Sequence, residues 1–116
     1  MANNSTGLQE NVAGALSYLF GWVTGIIFYL LEPDRPFVRF HAVQSIIVFG
    51  ALTILGILFS IFSVIPGLGW MLTVLVGPVL GLVGFILWLV LIIKAYQGER
   101  YKLPVIGDMA EKWAHK

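Results

Sequence analysis

The side chains best suited to chemistry lie in one short polar stretch, where a long apolar segment begins. His41, Gln44 and Ser45 lie about one helical turn apart, so a helix would gather them into one polar patch. Histidine can exchange a proton near neutral pH, so the patch suits a headgroup, peptide or proton site. The same residues also suit an interfacial anchor with hydrogen bonds between helices, which is the interpretation that we favour.

Basic residues border the apolar part of the chain on both sides. Arg35 and Arg39 are four residues apart and share a helix face, where they can meet lipid phosphate. Glu32 and Asp34 are alternative partners for them. The candidate cytoplasmic contacts for lipid or a partner are Arg35, Arg39, His41, Gln44, Arg100 and Lys102.

The sequence gives little support for catalysis. His41 and His115 have no metal-ligand spacing with acidic residues, and the chain has no cysteine. No phosphate-binding, dinucleotide-binding or nucleophile motif occurs. The net charge of +1 is too small to indicate a basic surface for binding nucleic acid. We therefore expect no enzyme activity, no cofactor, no metal and no nucleic-acid partner.

The composition is that of a membrane protein. Of the 116 residues, 59% are hydrophobic and 11% are charged, against roughly 45–50% and about 25% in soluble domains. A chain of this length forms one domain, and a soluble one would need more charged surface. We expect a multi-pass integral protein of the cell membrane, in contact with the lipid bilayer.

Two long gaps in the charge pattern predict the spans. Asp, Glu, Lys and Arg are absent from the 21 residues between Glu10 and Glu32 and from the 54 between Arg39 and Lys94. One crossing takes about 20 helical residues, so the second gap must fold back, and its proline and glycines at 65–69 mark the turn. The prediction is an all-α, single-domain three-helix bundle over residues 1–116, with spans at 12–31, 42–64 and 70–93, a loop at 32–41 and a tail at 94–116.

The basic residues predict the orientation. With three spans, the loop and the tail share one side, and together they hold all seven lysines and arginines. The positive-inside rule then places the loop and the tail in the cytoplasm and the N-terminus outside.

Small residues predict where the helices pack. Gly21 and Gly25 in the first span, Gly56 in the second and Gly81 in the third lie within four-residue spacings of other small residues. We expect these faces to hold one bundle together, and a homo-oligomer is the alternative. Pro78 is expected to kink the third span.

The tail is expected to stop and restart as a helix. Gly98 is a natural stop, and Asp108 with Glu111 resembles a capping box. Met109 and Trp113 then share one face, as in a short amphipathic helix on the inner leaflet.

Three sequence segments resemble one known family. Residues 15–21 (ALSYLFG), 37–45 (FVRFHAVQS) and 94–99 (KAYQGE) are similar to small uncharacterised membrane proteins of archaea and bacteria, a domain of unknown function. The resemblance covers residues 8–113. It implies a relation to the Tic-type component of chloroplast protein import, whose members have four spans where this sequence has room for three.

Two functions remain open. The first is a structural or interaction protein whose basic cytoplasmic face contacts anionic lipid headgroups or a larger membrane complex. The second is an oligomeric small transporter, pore or protein-translocation component. Ion and proton paths usually contain ionisable groups within the spans, and His41 at the rim is the only candidate between Phe40 and Ile93. We favour the first.

Overall fold

The computed structural model describes residues 7–114, and His115 and Lys116 lie outside that range. The described chain is all-α, as predicted, with no strand in it. Its five helices are α1 (Glu10–Leu16), α2 (Trp22–Leu31), α3 (Pro36–Phe62), α4 (Leu68–Tyr96) and α5 (Ile106–Ala114).

The two long helices correspond to the predicted second and third spans. α3 has 27 residues and α4 has 29, and both are long and apolar enough to cross a membrane. Pro36 begins α3, because its missing N–H costs nothing in a first turn. The predicted turn separates the two helices, and Gly98, with φ +82°, follows the end of α4. A π-helical turn at Leu72–Val76 precedes Pro78, where a kink was predicted.

The predicted first span needs correction, because residues 12–31 do not form one continuous helix. α1 has seven residues and α2 has ten, and residues 17–21 form turns between them. Gly21 has φ +63°, a left-handed conformation that interrupts the helix and suits glycine. The described chain therefore holds two helices of spanning length rather than three, and a three-helix bundle is not confirmed.

The two short helices enter and leave at the same end of the molecule. Gly14 in α1 lies against Phe37 and His41, and Tyr18, just after α1, contacts both His41 and Phe49, which is farther along α3. The order then reverses, because Gly21, just before α2, lies against Phe49, and Gly25 in α2 lies against Ala42. The pair is therefore a hairpin whose tip reaches only to the middle of α3.

This hairpin changes the predicted position of the N-terminal end. Arg35 donates a hydrogen bond of 2.6 Å from Nη2 to the Leu8 carbonyl, and Asn11 donates one of 2.8 Å to the Tyr96 carbonyl. Residues 8–11 therefore lie beside the 32–35 loop and the end of α4. The prediction had instead placed the N-terminus beside the turn at Pro66.

We call the end formed by residues 8–14, 32–41 and 94–114 the rim end, and the end at the 63–67 turn the far end. The buried hydrophobic residues fall at positions 13–48 and 91–114. The core therefore lies in the half of the molecule next to the rim end, which we call the rim half, and the remainder is the far half. It consists of three clusters in which α1, α2, α5 and the tail pack on the first half of α3 and the end of α4. Large hydrophobic side chains between Ile54 and Leu89 are extensively exposed.

Candidate functional site

A buried polar cluster of Tyr18, His41 and Gln44 lies inside the rim half. All three residues are fully buried. The Tyr18 Oη atom lies 2.7 Å from His41 Nδ1, and Gln44 Nε2 donates to the same hydroxyl at 2.9 Å. The cluster therefore joins the break between α1 and α2 to the first half of α3.

The same cluster binds the tail that connects α4 to α5. His41 Nε2 lies 2.9 Å from the Glu99 carbonyl oxygen. Gln44 donates to the Tyr101 carbonyl at 2.9 Å, and its Oε1 accepts the Leu103 backbone N–H at 3.1 Å. Three bonds thus hold residues 99–103, which have no regular secondary structure.

These contacts define the protonation pattern of the cluster. A carbonyl oxygen only accepts, so His41 Nε2 carries the hydrogen that is donated to Glu99. In the neutral ring Nδ1 must then accept, and the Tyr18 hydroxyl donates to it. The Tyr18 oxygen in turn accepts from Gln44, so each of these polar groups has a partner inside the protein.

Close backbone approach brings the cluster together. A Cβ on Gly14 would lie 2.9 Å from the Phe37 ring and 3.3 Å from the His41 ring. A Cβ on Gly25 would lie 2.8 Å from the Ala42 carbonyl oxygen. Larger residues at either glycine would push the hairpin away from α3, so the predicted role of Gly25 in packing is confirmed.

The turns of the break are held by side chains from three helices. The Thr24 hydroxyl donates within the break, to the Ser17 or Gly21 carbonyl at 3.1 and 3.2 Å. Ser45 on α3 donates to Gly21 at 2.8 Å, and Trp88 on α4 donates to the Leu19 carbonyl at 3.1 Å. Side chains thus reach the Ser17 and Leu19 carbonyls, which a continuous helix would have paired internally, whereas the Gly21 carbonyl also accepts the Gly25 N–H at 3.1 Å.

Arg35 and Arg39 connect backbone segments. Arg35 pairs with Glu32 at 3.1 Å, besides its bond to Leu8. Arg39 donates to the Ala114 and Tyr29 carbonyls, both at 2.9 Å, and its guanidinium lies 3.9 Å from the centre of the Tyr29 ring. Arg39 therefore ties the ends of α2 and α5 to the start of α3.

Arg100 and Lys102 are exposed and face acidic residues of α5. Arg100 lies 3.7 Å from Glu111, and Lys102 lies 2.5 Å from Glu111 and 3.7 Å from Asp108. The hydrogen bond to Glu111 raises the pKa of Lys102, so the residue stays an ammonium ion at neutral pH. These two side chains are accessible to lipid or to a partner.

The structure therefore divides the predicted contact residues into two groups. His41 and Gln44 are buried and hold the tail, and Arg35 and Arg39 hold backbone carbonyls. Arg100 and Lys102 stay at the surface beside acidic groups. With the N-terminal end also at the rim, every charged residue of the described chain lies there, acids included. The rim end is consequently more balanced in charge than predicted.

Tyr18 and Trp88 are the site residues that the sequence analysis missed. Tyr18 stood in the ALSYLFG string, but an aromatic residue in an apolar run has no distinguishing signal. The far partners of the cluster are backbone atoms of residues 99–103, which no residue-type pattern can identify.

An apolar groove lies between α3 and α4, below the tip of the hairpin. Its volume is about 450 Å³, and its lining includes Leu19, Phe49, Gly56, Gly81 and Trp88. A Cβ on Gly56 or Gly81 would meet nothing within 4 Å, so the packing predicted for these two glycines is absent. Within residues 7–114, no group of three or more acids and histidines could hold a metal ion.

Fold and site together define a small all-helical membrane protein in which a buried polar cluster ties a broken helix hairpin and a tail to a pair of long apolar helices. The chain belongs to the magnetosome magnetite crystal formation protein family, whose pattern matches residues 6–110.

Archaeal relatives match along nearly the whole chain. A UPF0132 membrane protein of Methanocaldococcus jannaschii is 56% identical over 98% of this chain and 96% of its own. A UPF0132 membrane protein of Archaeoglobus fulgidus is 53% identical over 90% of this chain and 95% of its own. No solved structure matches. These matches support the resemblance to small membrane proteins of archaea, and they do not show a relation to the Tic-type import component.

Proposed function

We propose that the protein is a structural or interaction protein of the membrane, whose rim end contacts anionic lipid headgroups or a larger membrane complex. The buried polar cluster carries this proposal. Its side chains hold the tail and the hairpin, whereas the long helices beyond Val48 and before Lys94 contain no charged residue. A packed rim end on a pair of uncharged helices suits contact at the membrane surface. Transport through the protein usually requires ionisable groups within the spans.

The family description fits this proposal. Magnetite crystal formation names neither a reaction catalysed by this chain nor a substrate. No residue of this chain is assigned to mineral by that description. We carry over the coarser expectation that the protein acts by contact with an assembly at the membrane.

The proposal includes a topology in the cell membrane. α3 and α4 cross the membrane, and the α1–α2 hairpin enters and leaves on one side. The lysines and arginines of the described chain all lie at the rim end, so the positive-inside rule places that end in the cytoplasm. The N-terminus and the C-terminus are then both cytoplasmic, and the far end is outside.

Single cysteines test this topology, because the chain has none of its own. The positions are Gln9, Asp34, Val64 and Gln97, all of them exposed. A membrane-impermeant maleimide applied to intact cells should label Val64→Cys alone. The other three should react only after permeabilisation. Labelling of Gln9→Cys together with Val64→Cys in intact cells would support three spans and an external N-terminus instead.

Contact with anionic lipid is tested at the two exposed basic residues. The Arg100→Gln/Lys102→Gln variant should lose up to about thirtyfold of its preference for a spin-labelled anionic lipid over a zwitterionic one, since each of the two charges near the surface contributes about 1 kcal/mol. The control is the charge-conserving Arg100→Lys/Lys102→Arg variant. An unchanged preference would exclude lipid recognition by these residues.

Crosslinking in native membranes, followed by identification of the attached proteins, tests contact with a complex. A defined neighbour crosslinked through the rim end is expected. Absence of both a neighbour and a lipid preference would overturn the proposal.

The alternative is an oligomeric transporter, pore or translocation component. The open groove at Gly56 and Gly81 would admit a helix of a neighbouring protein, which is the observation in its favour. It requires a stable oligomer and flux in liposomes. A monomer in mild detergent and in bilayers, with no flux, would remove it.

A further inference from the structure

Besides the groove between α3 and α4, the structure has an apolar cleft beside α5, which we call the α5 cleft. Its volume is about 300 Å³, and it opens between α2, α3 and α5. The buried polar cluster does not line it, and neither do the exposed basic residues of the tail. The residues that line it are Tyr29, Val43, Ile46, Ile47, Met109 and Trp113.

The two faces of α5 explain why the cleft is present. Ala110 and Ala114 are buried in the contact with α3, where their small side chains let the two helices approach closely. Met109 and Trp113 lie to one side of this contact, and they are 43% and 53% exposed. The face that the sequence predicted for the inner leaflet therefore also forms one wall of an open cleft.

The α5 cleft extends inward from a charged residue. α3 contains one permanently charged residue, Arg39, and Val43 and Ile47 follow it one and two turns farther along the same face. The Arg39 guanidinium lies on the ring of Tyr29, another residue of the wall. The 27 residues of α3 rise about 40 Å, about 10 Å more than the hydrocarbon core of a bilayer. In the proposed topology, Arg39 therefore lies at the level of the headgroups, and the cleft lies where the acyl chains begin.

The charges at the mouth of the cleft favour an anionic ligand. Lys112 lies next to Trp113 and one turn from Met109, and within residues 7–114 it forms no ion pair. The other lysines of the described chain each face an acid. The two acids of α5 lie on the side of the helix opposite the cleft, where they face Lys102. Arg39 and Lys112 thus make this side of the rim end positive.

We propose that the α5 cleft binds an acyl chain of an anionic membrane lipid, whose phosphate group lies beside Lys112 in the positive field of Arg39. A helix with its side chains is about 10 Å across, too wide for this cavity, whereas a single hydrocarbon chain is not. Tyr29 and Trp113 are of the residue types that are enriched at membrane interfaces. The inference rests on the proposed function, contact of the rim end with lipid, and it gives that contact a ligand and a site.

Photolabelling in vesicles tests the site. The probe is phosphatidylglycerol with a diazirine in one acyl chain, present as a small fraction of phosphatidylcholine vesicles. Peptide mass spectrometry should find the label on Met109 and Trp113, and an excess of unlabelled phosphatidylglycerol should lower it several-fold, because a site of finite capacity is competed by mass action. Val79 and Leu82, exposed on α4, report contact with bulk lipid, and their labelling should change little.

Two exposed residues provide the variants, each with a matched control. Lys112→Gln should lower the competed label about fivefold, the effect of one basic charge at an anionic surface, and Lys112→Arg should retain it. Trp113→Ala removes part of the wall and should remove most of the competed label on Met109. Trp70→Ala, which removes an exposed tryptophan at the far end, should leave that label unchanged.

Label on Met109 that unlabelled lipid does not compete would overturn the site. Equal competed labelling in the parent, Lys112→Gln and Trp113→Ala would do the same, and so would a crosslink between two copies through the cleft.

The outcome is separable from that of the proposed function. The Arg100→Gln/Lys102→Gln variant should keep the competed label, since those side chains lie on the other side of α5. Absence of competed label, with the lipid preference of Arg100 and Lys102 intact, would overturn the cleft site alone. Competed label without that preference would overturn only the surface contact at those two residues.

Discussion

The rim half and the far half of the molecule use the same kinds of polar side chain in opposite ways. In the rim half, Ser45 donates to Gly21 on another segment, and Gln44 reaches residues 57 and 59 positions away. In the far half, Thr53 and Ser60 donate to carbonyls one turn earlier in their own helix. Ser17 in the rim half also donates to a carbonyl one turn earlier, Ala13. Hydroxyls that bond within their own helix do not specify a neighbour, whereas Ser45 and Gln44 of the rim half do.

Glycines show the same contrast. Gly25 lies against the backbone of α3, whereas Gly56 and Gly81 face open space. A Cβ on Gly77 would lie 3.5 Å from the Phe59 ring, and one on Gly84 would lie 3.7 Å from the Leu52 side chain, so neither glycine is closely packed. The tertiary structure is therefore determined mainly in the rim half, and the far half depends on lipid or on a neighbouring molecule to cover it.

The largest effect should come from Gln44→Leu. This change keeps the volume but leaves the Tyr101 carbonyl and the Leu103 N–H without their buried partner, at a cost of about 3 kcal/mol. Unfolding in mild detergent with increasing SDS measures it. Gln97→Leu, at an exposed position, is the control and should change little. Equal stability of the two variants would contradict the role of the cluster.

Gly25→Ala should destabilise by about 2 kcal/mol, because the new methyl group would overlap the Ala42 carbonyl and the Ile46 side chain. Gly81→Ala introduces the same methyl group into open space and should be neutral or slightly stabilising. Thermal unfolding followed by tryptophan fluorescence compares the two. A reversed order would mean that the helix hairpin does not pack closely on α3.

Arg39→Lys should cost about 1 kcal/mol. Lysine keeps the charge but lacks the planar fork that reaches both the Tyr29 and Ala114 carbonyls while lying on the Tyr29 ring. Faster hydrogen exchange is expected in α5, because its last carbonyl loses a partner. Lys112→Arg, on the exposed face of α5, serves as the control, and exchange should not distinguish it from the parent.

Ser60→Ala should have the smallest effect, within about 0.5 kcal/mol, since its hydroxyl bonds only to Gly56 in the same helix. The same detergent unfolding measures it. A loss as large as that of Gln44→Leu would show that the far half has specific contacts of its own, in an oligomer or a complex.

The long helices could be predicted from sequence because membrane thickness limits the number of residues in one helical crossing, so the length of an uncharged run determines how many crossings it makes. The 54-residue gap had to fold back, and Pro66, Gly67 and Gly69 mark the place near its middle. α3 begins six residues before its predicted span and ends two residues before the predicted end, and α4 extends two residues before and three residues after its predicted span. The final helix begins at Ile106, two residues before the predicted start at Asp108, and the kink region coincides with a π-helical turn.

The hairpin could not be predicted in this way. By its length, a 20-residue apolar run predicts one span. The break in this run is stabilised by Ser45 and Trp88, which are far away in sequence, so the run itself contains no signal for it. The favoured interpretation of His41 and Gln44, hydrogen bonds between segments, agrees with the structure. Their partners in the tail are backbone atoms, and only the folded chain reveals them.

The hairpin also bears on how the protein reaches its membrane. In the proposed topology the rim end lies on the side of synthesis, so Glu10 and the hairpin do not have to cross the bilayer. Only the 63–67 turn does, and it contains no charged residue. Carrying a charged group through the hydrocarbon core is costly, whereas α3 and α4 can enter together as an uncharged pair. If the proposed topology holds, the break at residues 17–21 therefore leaves a single pair of helices to insert, and Glu10 needs no translocation.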